Sequence, residues 1–120
     1  MENIIDPIDK KLLEAELTPE RRLRKTNKGN NEIFVVNHHN APNVLREIGR
    51  LREISFRSSG GGSGLACDID IYDTMDVPYE QLIVWNPEER EIIGGYRYIH
   101  GSNVSFDNNG KPMLTSSHLF

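Results

Sequence analysis

The chain has 120 residues, of which 37% are hydrophobic and 27% charged, and its net charge is −4, which suits one small soluble domain or a piece of a larger one. No run approaches the roughly 20 apolar residues of a membrane helix. Residues 1–6 lack the basic and apolar regions of a signal peptide. The single cysteine, Cys67, excludes an internal disulfide and fits a reducing cytoplasm. The charge is unevenly distributed along the chain. Of the 14 basic residues 11 lie in 1–57, whereas the 18 acidic residues are divided equally between 1–57 and 58–120.

Two short helices are predicted at the N-terminus. Asp6 and Pro7 have the cap-plus-proline pattern of a helix start, and apolar residues at 8, 12, 13 and 15 give a helix over 7–17 one hydrophobic face. Thr18 and Pro19 repeat the start signal, so a second helix is expected to end near Asn27.

The second of these helices carries a basic stretch, which comprises Arg21, Arg22, Arg24, Lys25 and Lys28. These residues form either a solvated helix face or a surface for an acidic partner, such as an acyl carrier protein, an anionic lipid surface or RNA. Nucleic acid is the least favoured partner, because no aromatic residues interleave with the basic ones and the sequence pI is acidic.

A buried strand and a long helix are predicted in the middle of the chain. The run Ile-Phe-Val-Val at 33–36 is typical of a buried strand. Asn40 is the expected cap of the next helix, with Pro42 in its first turn, and the helix spans about 41–56 because apolar residues recur at helical spacing. The Ser- and Gly-rich stretch 58–64 that follows predicts a flexible loop.

A β-hairpin is predicted over 80–99. Strands at 80–85 and 91–99 flank the turn 86–89, and the pair Gly94 and Gly95 inside the second strand indicates a bulge or a close approach by another backbone. A further turn is predicted at 108–112. The order of elements predicts an α+β domain with a mostly antiparallel central sheet.

An acidic cluster lies between the loop and the hairpin. Four carboxylates, those of Asp68, Asp70, Asp73 and Asp76, fall within nine residues and repel one another unless cations neutralise them. The cluster therefore binds an ammonium group or a basic side chain, holds a metal ion, or is a solvated acidic loop. The calcium-loop pattern fails at the later positions that require glycine and glutamate, so no metal site is predicted.

Two arginines are candidate partners for these carboxylates. Arg52 lies on the long helix, and Arg97 lies in a strand rich in Ile and Tyr. Arg97 either faces solvent or pairs with Asp70 or Asp73, because a buried arginine requires a carboxylate.

Five spaced elements match a known family in order: LREISF at 51–56, the Gly-rich loop, DIYD at 70–73, LIVW at 82–85 and IGGYRY at 93–98. This set resembles the hemolysin-like branch of the GNAT superfamily, which includes ornithine-lipid and glycine-lipid synthases, and it is more distantly similar to the acyl-homoserine-lactone synthases. In that wider family an arginine and a phenylalanine end the first core helix, as Arg52 and Phe56 do here. Two aspartates three apart follow, matching Asp70 and Asp73, and then an arginine after a glycine, matching Arg97.

The resemblance implies an N-acyltransferase of lipid biosynthesis, which moves a long acyl chain from acyl carrier protein or coenzyme A to the amine of glycine or an ornithine-like amino acid. No permanently bound cofactor is implied, since the thioester is a substrate. Asp70 and Asp73 would orient the ammonium group, or order the loop by pairing with the two arginines, and the loop would be a mobile flap over the acyl chain. The implied catalytic residues are Asp70, Asp73 and Arg97, and the implied substrate-binding residues are Arg52, Phe56, Gly61 and Gly62.

The resemblance divides the chain into a helical extension at 1–31 and a partial, N-terminal-half GNAT domain at 32–120. The glycine-containing loop that binds the donor's pyrophosphate in that fold does not occur in these residues, so we expect the 120 residues by themselves to be inactive. The alternative is a non-catalytic module that binds a carrier protein, a membrane surface or a partner chain. A cytoplasmic location, peripheral contact with the inner membrane and a homodimer formed through a bare sheet edge complete the expectations.

Overall fold

The structure is a computed structural model that describes residues 2–26 and 29–99. Its elements are α1 (Lys10–Glu16), a 3-10 turn (Pro19–Arg21), β1 (Arg22–Lys25), β2 (Glu32–Val36), α2 (Pro42–Ser58), α3 (Ile71–Thr74), β3 (Glu80–Asn86) and β4 (Glu91–Tyr98). The strands form one antiparallel sheet in the order β1-β2-β3-β4. The predicted α+β class with an antiparallel sheet is therefore confirmed, whereas the predicted turn at 108–112 lies outside the described residues.

The predicted second helix is wrong beyond its first turn. Of the described part of this segment only Pro19–Arg21 is helical, and Arg22, Arg24 and Lys25 lie in β1, which pairs with β2. The predicted end near Asn27 and the basic Lys28 lie outside the described residues. Arg22 also forms an ion pair with Glu32 of β2 at 2.8 Å. Pairing with a neighbouring strand outweighs the high helix propensity of Arg, Leu and Lys, as tertiary context commonly does. β1 lies in the stretch 1–31 that we expected to be helical, and the domain division at residue 31 stays a prediction.

The first helix begins three residues later than predicted. Asp9 is its N-cap, because its Oδ1 accepts a hydrogen bond from Lys11 N at 2.8 Å, and the helix starts at Lys10. Asp6 and Pro7 therefore belong to the extended segment that precedes α1.

The long helix α2 is confirmed, but its cap differs from the predicted Asn40. The Asn40 side chain accepts from Asn37 N at 2.9 Å and so stabilises the preceding turn. The free N–H groups of the first turn are instead bound by Glu16 at the end of α1, whose carboxylate accepts from Asn43 N at 3.1 Å and from Val44 N at 2.8 Å. A carboxylate at this position also complements the positive end of the helix dipole.

The core lies between α1, α2 and one face of the sheet. Its buried members come from all three, and they are Leu13, Phe34, Val36, Ala41, Val44, Ile48, Ile83, Trp85 and Ile92. Alternation along β3 places Gln81, Ile83 and Trp85 on this same covered face. Among the residues that the structure describes, no helix has the length and hydrophobicity that a membrane crossing requires.

A β-bulge in the hairpin decides which way Arg97 points. The register runs from Val84 opposite Gly94 directly to Trp85 opposite Ile92, so Ile93 is an extra residue in β4. One extra residue reverses the alternation of faces. Ile92 and Arg97 are five positions apart and would otherwise lie on opposite faces, yet both are buried on the covered face. The bulge predicted near Gly94 and Gly95 is confirmed.

Candidate active site

The central feature of the site is a buried network around the Asp73 carboxylate. Its Oδ2 lies 2.9 Å from Arg52 Nη1, and its Oδ1 lies 3.2 Å from Arg97 Nη1. Gln81 Nε2 donates to Oδ1 at 2.8 Å, and Asp70 N donates to Oδ2 at 3.1 Å. Four donors use the approximately four lone-pair positions of a carboxylate. Asp73 is 0% exposed, so its contacts are to the protein itself.

Asp70 completes the charge balance of this network. Its Oδ1 lies 2.7 Å from Arg97 Nη1, so two carboxylates face the two guanidinium groups of Arg52 and Arg97. Arg52 also donates to Gln81 Oε1 at 2.9 Å. The acidic cluster thus meets basic side chains of its own chain. The predicted pairing of Arg97 with Asp70 and Asp73 is observed, and the solvent-facing alternative for Arg97 is wrong because this residue is only 3% exposed.

The three-residue spacing of the aspartates has a local structural cause. Asp70 is the N-cap of α3 and accepts from Tyr72 N at 3.0 Å, while Asp73 returns a bond to Asp70 N. This reciprocal arrangement is a capping box, which requires acceptors at the cap and three residues later. The short helix therefore delivers both carboxylates to the arginines. It was not predicted, because four residues show no hydrophobic period.

Asp70 differs from Asp73 in its access to solvent. Its side chain is 42% exposed, and the hydrogen bonds from Arg97 Nη1 and Tyr72 N both end on Oδ1. Burial tends to raise the pKa of Asp70, but the hydrogen bond and charge of Arg97 outweigh it and hold the pKa below its ordinary value. Asp70 is therefore an accessible carboxylate that stays ionised at neutral pH, suited to attracting a cation more than to accepting its proton.

Aromatic rings surround the Arg97 guanidinium. Its central carbon lies 5.9 Å from the ring centre of Tyr72 and 5.8 Å from that of Tyr79, and the two rings meet edge to face at 5.5 Å. Burial tends to lower the pKa of Arg97, yet Asp70 and Asp73 raise it above the ordinary value. A charged, immobilised Arg97 can therefore keep Asp70 in place at any physiological pH.

Sequence reasoning missed Gln81, Tyr72 and Tyr79 as members of the site. Gln81 is fully buried and joins Arg52 to Asp73. The signal was present for Gln81. The other inward-facing residues of its strand are Ile and Trp, and a polar residue at such a position requires buried partners. Nothing in the spacing of the tyrosines indicates that they pack against an arginine.

The remaining predicted site residues lie one to three turns from the network, at the end of α2. Phe56 is half-buried one turn after Arg52, and its carbonyl oxygen accepts from Gly61 N at 2.8 Å. Gly61 and Gly62 are exposed in the loop, and Gly62 has a φ of 102°. The structure therefore brings Arg52, Asp70, Asp73 and Arg97 together and places the two glycines outside the network.

The loop is tied to a buried side chain that was not predicted as functional. Glu53 is 0% exposed, and its carboxylate accepts from Ser63 N at 2.9 Å, Ser63 Oγ at 2.7 Å and Gly64 N at 3.1 Å. Arg57 Nε donates to it at 2.5 Å. The hydrogen bond from Ser63, assisted by Arg57 and Gly64 against the effect of burial, lowers the pKa of Glu53 to about 2.

A pocket of about 250 Å³ lies at a different place, between α1, α2 and the start of β4. Its lining contains none of the network residues, and its basic side chains have partners of their own, as Arg90 pairs with Glu14. Arg50 pairs with Glu47 at 2.6 Å, and Lys10 donates to Glu89 O at 2.7 Å. The polar network is therefore the better candidate for chemistry. In the part of the chain that the structure describes, no three His, Cys, Asp or Glu side chains group in a way that could hold a metal ion.

Comparison with known proteins places this site within a family. The model of the acetyltransferase (GNAT) domain matches residues 51–120, which includes Arg52, α3, β3 and β4. A glycine N(alpha)-acyltransferase of Bacteroides thetaiotaomicron is 65% identical over all 120 residues, and a protein of the same name from Phocaeicola vulgatus is 59% identical. The chain spans 36% and 37% of the lengths of these relatives. No solved structure matches. Because the domain model covers more than half of the chain and every member of the buried network, the chain belongs to the acetyltransferase (GNAT) domain family, as the resemblance in its sequence implied.

Proposed function

We propose that this chain is part of an N-acyltransferase that joins an acyl group to the α-amine of glycine. Membership of the GNAT family and the shared name of the two relatives support this proposal. The observation that carries it is an ionised, 42% exposed Asp70 held by a fully buried ion-pair network within the matched domain. Such a carboxylate can attract an amino acid through its ammonium group.

The proposed reaction is aminolysis of a thioester. The amine nitrogen attacks the thioester carbonyl carbon, the C–N bond forms, the C–S bond breaks, and the sulfur leaves as a thiol after one proton passes from nitrogen to sulfur. Asp70 orients the incoming amino acid before it loses its proton. Its lowered pKa makes it a weak general base, so we assign deprotonation to another group or to water.

Asp73 is a positioning residue in this proposal, because its lone pairs are used by Asp70 N, Arg52, Arg97 and Gln81. Phe56, Gly61 and Gly62 are proposed to contact the acyl donor at the end of α2. A flap movement of the Gly-rich loop would have to break the bonds that its second half makes to Glu53.

The donor is proposed to be an acyl-coenzyme A or acyl carrier protein thioester with a long chain, consumed as a substrate. The product, an N-acyl amino acid with a long chain, would be amphiphilic, which fits an enzyme of lipid biosynthesis at the inner face of the membrane. Among the described residues β1 and β4 are the outer strands of the sheet, and the proposed homodimer would form through such an edge.

The test uses the full-length gene product. It is incubated with glycine or ornithine and with either donor, and N-acyl amino acids are measured by mass spectrometry. We expect N-acylglycine, and a fall in kcat/KM for glycine of about 10- to 100-fold in Asp70→Asn, because a charge-assisted contact is lost. Asp76→Asn is the matched control, since Asp76 is an exposed acid of the same cluster whose backbone oxygen is what contacts His39.

Two results would count against the proposal. A wild-type protein that forms no N-acyl amino acid with either donor would contradict the function. A folded Asp70→Asn variant with unchanged kcat/KM would contradict the site while leaving the function in place.

A further inference from the structure

The contacts of Glu53 form a closed clamp on the Gly-rich loop. Oε1 accepts from Ser63 N and Ser63 Oγ, at 2.9 and 2.7 Å, and Oε2 accepts from Gly64 N and Arg57 Nε, at 3.1 and 2.5 Å. Arg57 in turn donates to Leu65 O at 2.9 Å. The carboxylate is 0% exposed and ionised, and hydrogen bonds to a charged group are worth more than neutral ones. Residues 63–65 are therefore fixed to α2.

Glycine at position 62 is what allows the loop to wrap around the carboxylate. Its φ is 102°, and a Cβ there would lie 2.8 Å from Glu53 Oε2 and 3.1 Å from Arg57 Cγ. Gly64 also has a positive φ, of 77°. The loop thus resembles the backbone N–H cradles that bind phosphate, but the anion it binds is the protein's own carboxylate.

The fixed loop leads directly into the acidic cluster along α2. Asp68 N donates to Gly49 O at 3.0 Å, and a Cβ at Gly49 would lie 2.5 Å from Cys67 Sγ and 2.7 Å from Ile69 Cγ1. Segment 67–69 therefore lies against the bare backbone of α2, and the next residue is Asp70. The N-terminus lies beside the loop as well, with Glu2 N donating to Gly64 O at 2.9 Å.

We propose that Glu53 is a positioning residue for Asp70. By fixing Ser63 and Gly64, it sets the path of segment 65–69 along α2 and so the point at which Asp70 meets Arg97. The claim that this position matters for the substrate amine rests on the proposed function. The claim that Glu53 sets the position of Asp70 does not, and the two can be tested separately.

Glu53→Gln in the full-length protein tests the positional claim by hydrogen exchange. In this variant an amide NH2 group replaces one of the two carboxylate oxygens of Glu53. The NH2 group cannot accept hydrogen bonds from the N–H and O–H groups around it, so the clamp loses half of its acceptors. We expect exchange at the Ser63 and Gly64 amides, and at the Tyr72 amide that Asp70 caps, to speed up by about 10- to 100-fold. Amides of the β2–β3 ladder report global unfolding, and the Tyr72 amide should speed up by a larger factor than they do. A Tyr72 amide as slow as in the wild type, beside fast Ser63 and Gly64 amides, would overturn the proposal.

A matched pair of loop variants separates the clamp from backbone strain. Gly62→Ala and Gly60→Ala both place a side chain at positive φ, of 102° and 86°. A Cβ at Gly62 meets the Glu53 carboxylate, whereas one at Gly60 has nothing within 4 Å. Faster exchange at Tyr72 in Gly62→Ala than in Gly60→Ala is the expected result, and equal rates would contradict the role of the carboxylate.

A kinetic test of Glu53→Gln, in which KM for glycine is measured, depends on the proposed function. If Asp70 orients glycine, Glu53→Gln raises KM for glycine about tenfold, the scale of one weakened charge-assisted contact. A merely structural role would lower kcat with the folded fraction and leave KM for glycine as in the wild type. A wild type without acyltransferase activity would end the proposed function, while exchange at Tyr72 would still decide whether Glu53 positions Asp70.

Discussion

Two buried arginines, Arg52 and Arg97, share the carboxylate of Asp73 at 2.9 and 3.2 Å. Neither Arg52, at 2% exposed, nor Arg97, at 3%, can turn to water if that carboxylate is removed. The stability of the pair therefore depends on the charge of Asp73, and isosteric replacement tests this dependence without changing the volume of the site.

Asp73→Asn is expected to lower the free energy of unfolding by about 3–5 kcal/mol, because it leaves two buried guanidinium groups with the single carboxylate of Asp70. Urea denaturation of the full-length protein measures the change. Glu14→Gln is the control, since it breaks an ion pair with Arg90 whose two side chains are both 47% exposed, and such surface pairs contribute about 0–1 kcal/mol. Equal effects of the two variants would mean that the buried network does not stabilise the fold.

The low pKa of Glu53 predicts that the free energy of unfolding depends on pH. Its pKa falls from 4.5 to about 2 in the folded protein, chiefly through the hydrogen bond from Ser63. Folding therefore favours the ionised form, and the stabilisation is complete above about pH 4.5 and is lost as the pH falls toward 2. The difference in unfolding free energy between wild type and Glu53→Gln should shrink over this window in urea titrations. A difference that stays constant from pH 6 to pH 3 would contradict the low pKa.

At the level of elements, α2 depends on the absence of a side chain at Gly49. Gly49 is buried in the middle of a 17-residue helix, where alanine is ordinarily more stable by about 1 kcal/mol. A Cβ here would lie 2.5 Å from Cys67 Sγ, 2.7 Å from Ile69 Cγ1 and 3.2 Å from Asp68 O. The last of these is backbone and cannot rotate away.

Gly49→Ala is therefore expected to destabilise the protein by about 1–3 kcal/mol, the usual effect of overpacking, in spite of the gain in helix propensity. Thermal or urea unfolding measures whether the variant is more or less stable than the wild type. Ser55→Ala is the control for the effect of helix propensity alone, because Ser55 is an exposed position of the same helix. A stabilised Gly49→Ala protein would show that segment 67–69 is free to move off α2.

The elements that the sequence predicted well have a clear hydrophobic pattern. The strand at 33–36, the helix at 41–56 and the hairpin at 80–99 show such a pattern and were found with bounds close to those observed. β1 was missed because its Arg-Leu-Arg-Lys sequence is exposed throughout and owes its form to pairing with β2. α3 was missed because one capping box, formed by Asp70 and Asp73, holds its four residues.

The same distinction applies to the site. Pairing of Arg97 with Asp70 and Asp73 was predictable, since buried charges require opposite charges. The clamp of Glu53 was not, because two of the three bonds that Ser63 and Gly64 donate to it come from backbone N–H groups, which leave no mark in the sequence. The extra residue Ile93 reverses the alternation of faces and turns Arg97 inward. The sequence predicted a bulge near the two glycines but not this effect on Arg97.

At the scale of the whole molecule, Arg97 and the basic residues of β1 lie on opposite outer strands of the described sheet. Arg97 is on β4, and Arg22, Arg24 and Lys25 are on β1, with two strands between them, a separation of about 14 Å at the usual strand spacing. All four residues of β1 are exposed. A negatively charged carrier protein could therefore contact β1 without covering Asp70, whereas a coenzyme A thioester has no need of that edge.

This separation allows the two donors to be distinguished. If an acyl carrier protein is the donor, reversing two exposed charges with Arg24→Glu and Lys25→Glu should raise KM for the acyl carrier protein about tenfold or more, with a steeper effect at low salt. KM for glycine should stay the same, because two strands separate β1 from the strand of Arg97, and KM for acyl-coenzyme A should stay the same if that donor binds beside the network. Lys11→Glu is the control, as it reverses an exposed charge on α1 instead of β1. An equal rise in KM for both donors would place the basic strand near the thioester itself, and no rise for either would leave β1 as a solvated edge with acyl-coenzyme A as the donor that the site uses.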